Sequence, residues 1–188
     1  MRPEAKDKLL EFLNLFQNNF MTGMAATYLL EQPESWDLLE GAYIGFVPAG
    51  LELKEENFSY KFPVHAATNA LRKESLRHGL LLGFRNMLFR TLLAETIEHV
   101  REYCEGTHQK DKLLASDWYN FARLIRNAET HDGTLRFDKK AKPPVIFKQW
   151  HLDGADEGKQ LAELITIPNT TAVPILESAR LFVKKELA

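Results

Sequence analysis

The chain has 188 residues, 45% hydrophobic and 27% charged, with a formal net charge of -2. That length can bury a real core, and that charge excludes a generally basic nucleic-acid coat. One cysteine, Cys104, excludes an internal disulfide framework and a cysteine zinc cluster. No apolar run reaches membrane-spanning length and no signal-peptide core follows Met1, so a single soluble domain over 1–188, cytoplasmic and without a membrane partner, is expected.

In chain order, Leu9, Phe12, Leu13, Phe16 and Phe20 recur at helical spacing and predict a first helix over 2–30. Gln32-Pro33-Glu34-Ser35 ends it. The stretch 36–62 is broken by Gly41, Gly45, Pro48 and Gly50, and 43–47 fits either a short strand or an apolar loop. Pro63 suits the first turn of the next helix, whose pattern runs over 64–105 with Gly106 as its stop. A straight helix of that length would span roughly 60 Å at 1.5 Å per residue. A break or bend near Gly79 or Gly83 is therefore expected.

A further helix is predicted over 112–131. Leu114, Trp118, Phe121, Ile125 and Ala128 form one apolar face at steps of four, three, four and three. Asn120, Arg123, Asn127 and His131 lie on another, polar face. Asp132-Gly133 supplies a turn, with Gly133 suited to the left-handed cap. A hairpin is expected next, pairing 135–137 with 145–150 around Lys139-Lys140-Ala141-Lys142-Pro143-Pro144. The run 164–167 is a strand candidate. Thr170 or Thr171 should cap a last helix to about Lys185, with Pro174 in its first turn. The fold class is all-α: a bundle of four to five main helices with a small β-hairpin after the helix over 112–131.

Charge is unevenly spread. Over 31–57 seven acids face one base, Lys54, whereas over 134–150 five bases (Arg136, Lys139, Lys140, Lys142, Lys148) face one acid, Asp138. The basic block directly follows Arg126-Asn127-Ala128-Glu129-Thr130-His131, a fixed cation, an amide and an imidazole within six residues. Those groups suit work on a phosphodiester. Requiring asparagine directly after the arginine lowers the chance matches in such a chain to about 0.02. Arg85-Asn86 is an internal control, because it opens identically but carries Arg90 where the second copy carries histidine. His65, His78, His99, His108 and His151 are scattered without ligand spacing, so neither a metal nor a cofactor is expected.

The Arg-Asn-x-x-x-His pattern near the end of a helical domain resembles the signature of the HEPN superfamily, small all-helical domains of which many are ribonucleases. The resemblance covers roughly 63–188, with 1–62 supplying an N-terminal helix and an irregular segment. It implies a metal-independent endoribonuclease of a toxin or phage-defence setting, with Arg126, Asn127 and His131 as catalytic residues. Arg123, Arg136, Lys139 and Lys140 would bind the substrate RNA. On a regular helix Arg126 and His131 diverge by roughly 140°, so one copy makes a poor clamp. Either the helix unwinds at His131 or two copies meet across a two-fold axis, and the resemblance implies the second, a homodimer with a composite cleft. It also implies a separate antitoxin or nucleotidyltransferase as partner, although Gly133 stands where some members carry the tyrosine that such a partner modifies. The alternatives are a non-catalytic module that binds RNA, a nucleotide or a protein, and a purely structural helical dimer.

Overall fold

Two long helices set the plan of the chain: α1, Pro3–Glu31, and α4, Glu74–Gly106. The computed structural model describes residues 3–40, 42–46, 60–139, 141–164 and 168–188. Between the long helices lie α2 (Pro33–Leu39), the antiparallel pair β1 (Tyr43–Phe46) and β2 (Tyr60–Pro63), and α3 (His65–Arg72). After α4 come α5 (Lys110–Leu114), α6 (Asp117–Thr130), the antiparallel pair β3 (Val145–Phe147) and β4 (Trp150–Leu152), α7 (Leu161–Leu164) and α8 (Pro168–Lys185). The predominantly helical architecture with small strand pairs is the class expected from the sequence.

The chain divides into two compact units, one of Met1–Thr22 with Asn86–Ala188 and one of Gly23–Arg85, and both long helices contribute to each. In the smaller unit Trp36, Leu71 and Leu81 form a buried cluster with Leu30 against it. The Trp36 indole N–H donates to the Leu30 carbonyl at 2.8 Å, and the Arg77 guanidinium sits 5.2 Å from the ring centroid. Indole burial is thus compatible with its one polar atom. Arg72 pairs with Asp37 and Glu40, and Arg85 with Glu31.

In the larger unit the buried side chains include Leu13, Phe89, Leu93, Ile97, Phe121 and Ile175. Helix α6 packs against α5, α7, α8 and β3. Contact on several sides explains why its buried set (Trp118, Tyr119, Phe121, Ala122, Leu124, Ile125, Ala128) is wider than the single predicted stripe. The Lys6 ammonium donates to the carbonyls of Lys184 and Leu187 at the end of α8. A cation there satisfies orphan carbonyls and complements the helix dipole. Among the described residues no helix is long and apolar enough to cross a membrane.

Several boundaries differ from expectation, each for a local reason. The break in the long helical pattern falls at Lys73, which is extended (φ -86°, ψ 108°), whereas α4 runs unbroken through Gly79 and Gly83. The Lys73 carbonyl accepts the N–H groups of Leu76 and Arg77 and so starts α4; a helical glycine weakens the helix but keeps its hydrogen bonds. Pro63 ends β2, paired with Tyr43, and does not open a helix. Helix α4 does end at Gly106, as expected, but the positive φ that follows belongs to His108 (57°), which lets Gln109 N–H return to the Cys104 carbonyl at 2.7 Å.

The predicted motif helix is two helices, α5 and α6, separated at Ala115 and Ser116. The hairpin is displaced: 135–137 is not a strand, and the run 145–150 turns back on itself at Lys148 (φ 51°) to pair Val145–Phe147 with Trp150–Leu152. Phe147 and Trp150 stack on each other and on Phe121 of α6, with centroids 5.1–5.8 Å apart, which anchors this register. Helix α8 begins at Pro168, before Thr170 and Thr171, which leaves Pro174 past the first turn. Leu164 closes α7; 165–167 of the strand candidate lie outside the described residues, as do Val47 and the acids Glu52, Glu55 and Glu56.

Candidate functional site

Helix α6 keeps its intrahelical pattern to Thr130, and His131 is the first residue outside it (φ -104°, ψ -109°). Gly133, at φ 78°, brings its N–H back to the Ala128 carbonyl at 2.9 Å, as the turn residues predict. The chain then runs back alongside α6. Leu135, fully buried, donates to the Lys159 carbonyl and accepts from Gly158 N–H, both at 2.9 Å. Gly133 carbonyl accepts Leu161 N–H at 2.7 Å, and the Gln160 amide donates to Thr134 Oγ1 at 3.1 Å.

This return encloses a cleft of about 190 Å³ lined by Asn127, Ala128 and His131 on one side and Thr134, Arg136, Phe137 and Asp138 on the other. The fold therefore brings together Asn127, His131 and Arg136 of the residues singled out in the sequence. Arg126 is half-buried and absent from the lining, as the roughly 140° divergence requires. It has no hydrogen bond or ion pair of its side chain with another described residue. Its charge reaches Tyr119, whose hydroxyl is raised above its ordinary pKa by burial, an effect that Arg123, Arg101 and Arg126 oppose.

Arg123 is engaged elsewhere. Its guanidinium grips both carboxylate oxygens of Asp138, one at 2.9 Å, with its own side chain only 12% exposed. The pair ties the polar face of α6 to the far wall of the cleft, and Asp138 also accepts Ala141 N–H at 2.9 Å. Lys139 is exposed just beyond that wall. Lys140 lies outside the described residues.

The two acids flanking the motif histidine are also occupied. Glu129, 13% exposed, accepts from Arg90 Nε at 2.7 Å, joining α6 to α4 within the larger unit. Asp132 accepts the Thr134 N–H at 3.0 Å and Arg136 at 2.6 Å. Those bonds, the Thr134 backbone first, then its hydroxyl and the Arg136 charge, hold the Asp132 carboxyl below the usual carboxylate range. The Arg136 side chain is 63% exposed, so this pair is solvent-screened and open to exchange for another anion.

Phe137 is the wall residue that sequence reasoning passed over, because 135–137 is expected as one strand of a hairpin. The available signal was its place directly after Arg136, past the glycine turn. Elsewhere the larger unit holds an apolar cavity of about 260 Å³ lined by Phe16, Phe20, Leu88 and Leu92 with Glu95 at its edge. It offers no cation for a phosphate. Cys104 is buried, and burial pushes its thiol up to about 11, which leaves no thiolate nucleophile at neutral pH. Among the described residues no group of three or more His, Cys, Asp or Glu is arranged to hold a metal ion.

No protein-family model, curated protein or solved structure matches the chain.

Proposed function

We propose that the chain is a HEPN-like, metal-independent endoribonuclease that acts as a homodimer. One observation carries the reading: Asn127 and His131 open into one cleft whose opposite wall presents Arg136, while Arg126 lies outside it, unpaired among the described residues. In the proposed reaction the ribose 2′-oxygen attacks its own phosphorus and the bond to the 5′-oxygen breaks. The products are a 2′,3′-cyclic phosphate and a free 5′-hydroxyl. His131 takes the 2′-proton or gives one to the departing 5′-oxygen, and imidazole serves either task near neutrality. Arg126 of a second protomer holds the non-bridging oxygens, for which a planar fork is better suited than an ammonium.

A second reading is a module that binds RNA without cutting it. It is favoured by the occupation of Glu129 and Asp132, which leaves the His131 ring without an orienting acid among the described residues of its own chain.

Purified protein incubated with single-stranded and structured RNA in EDTA separates the readings. Cleavage to cyclic-phosphate ends, abolished by His131→Ala and by Arg126→Ala, is the expected result. Binding without cleavage, weakened by Arg126→Ala, selects the second reading. Neither activity, with variants that lose only thermal stability, leaves a structural dimer.

A further inference from the structure

We infer that Phe137 is the stacking platform for one unpaired nucleobase in the His131 cleft, so that the nucleic acid taken by this site is single-stranded at the bound position. The inference rests on the nuclease reading for its chemistry, but its binding claim is tested separately.

Phe137 lines the cleft together with Asn127, Ala128 and His131 and is the one phenyl, indole or phenol side chain in the lining among the described residues. It is half-buried and pairs with no other ring among the described residues. Phe147 differs, since its ring is consumed in the stack with Phe121 and Trp150. An aromatic side chain that lines a cleft beside polar groups, with no ring of the protein stacked on it, is the arrangement that receives a base.

The platform is held from both sides. Phe137 N–H donates to Glu157 Oε2 at 2.8 Å. Two residues earlier Leu135 is buried with both backbone groups paired, and one residue later Asp138 is clamped by Arg123. A ring on so constrained a backbone binds with little ordering cost. Arg136 beside it exchanges its exposed Asp132 partner for a phosphate oxygen.

The geometry also selects against a duplex. In an A-form helix the base faces are covered by their neighbours and only edges and backbone are presented. A cleft of about 190 Å³ has room for one splayed base.

The probe is a 2′-deoxy hexanucleotide carrying a central 2-aminopurine, which lacks the attacking hydroxyl and so is bound but not cut. Wild-type protein should change the 2-aminopurine fluorescence of the single strand and bind the matching duplex, or the same strand with an abasic centre, at least about fivefold more weakly. Phe137→Leu keeps an apolar side chain of similar size and removes the π face. It should weaken binding about five- to a hundredfold, and Phe137→Trp should restore it, with thermal melts showing that both variants are folded. Equal affinity for the abasic strand, or for Phe137→Leu, overturns the platform. RNA cleavage that depends on His131 alongside such equal affinities leaves the nuclease reading standing and removes this inference alone. A Phe137-dependent signal without any RNA cleavage does the opposite. No binding of the single strand by the wild type overturns the platform outright.

Discussion

Two copies of the dipeptide Arg-Asn stand on two helices of this chain, and their surroundings have little in common. Arg85-Asn86 lies in the interior of α4, which continues to Gly106, and Arg85 is spent on an ion pair with Glu31. Arg126-Asn127 lies one turn from the end of α6, where Asn127 opens into a cleft and the Arg126 guanidinium finds no carboxylate among the described residues. A helix interior absorbs its polar side chains into neighbouring packing, while a helix end followed by a returning loop leaves them facing space. Position along the helix, more than the dipeptide itself, separates a structural arginine from a free one.

The sharpest way to break that contrast is to truncate each arginine. Arg126→Ala should reduce RNA cleavage by at least about a hundredfold while the melting transition stays within about 0.5 kcal/mol of wild type. Arg85→Ala should do the reverse, costing about 1–2 kcal/mol in urea unfolding with an unchanged cleavage rate. Equal effects of the two substitutions on cleavage would erase the distinction.

Glycines extend the comparison to the backbone. Gly133 holds φ 78°, and a Cβ there would meet Gln160 Oε1 at 2.9 Å, so Gly133→Ala should cost about 1–2 kcal/mol and loosen the cleft. Gly83 of α4 is helical, and a methyl group there would meet nothing within 4 Å, so Gly83→Ala should stabilise by about 0.5–1 kcal/mol. Urea titrations of both variants check the opposite signs.

The smallest effect concerns Asp132. Its folded pKa is depressed, so its contribution is present above the usual carboxylate range and is lost as pH falls through the folded value. Asp132→Asn should therefore flatten the acid limb of the melting temperature against pH and leave the limb above pH 6 unchanged. A flattened alkaline limb would contradict the assignment.

Much of this arrangement was legible in the residues. Leu9, Leu13 and Phe20, spaced by helical turns, are buried on α1, and the Gly133 turn follows from the residue that adopts its φ most readily. What escaped had no local marker. Lys73 interrupts a helical pattern with neither proline nor glycine, and His108 and Lys148 take positive φ where glycine is the usual occupant. Tertiary context holds them, as the Phe121, Phe147 and Trp150 stack does for the hairpin. At the site, spacing alone put Asn127 and His131 on one face. The engagement of Arg123 by Asp138, fifteen residues away, and the return of Phe137 to the cleft are long-range facts that no periodicity carries.

The central claim is that the Arg126 of one protomer serves the His131 of another. Mixing tests it most directly: Arg126→Ala and His131→Ala proteins, each inactive alone, are unfolded, combined in equal amounts and refolded together, and RNA cleavage is measured. Half of the dimers are then mixed and each mixed dimer retains one intact Arg126–His131 pair, so roughly a quarter of the wild-type rate should return. A mixture as inactive as its components, while wild type refolded in the same way regains full activity, would contradict a site shared between two chains.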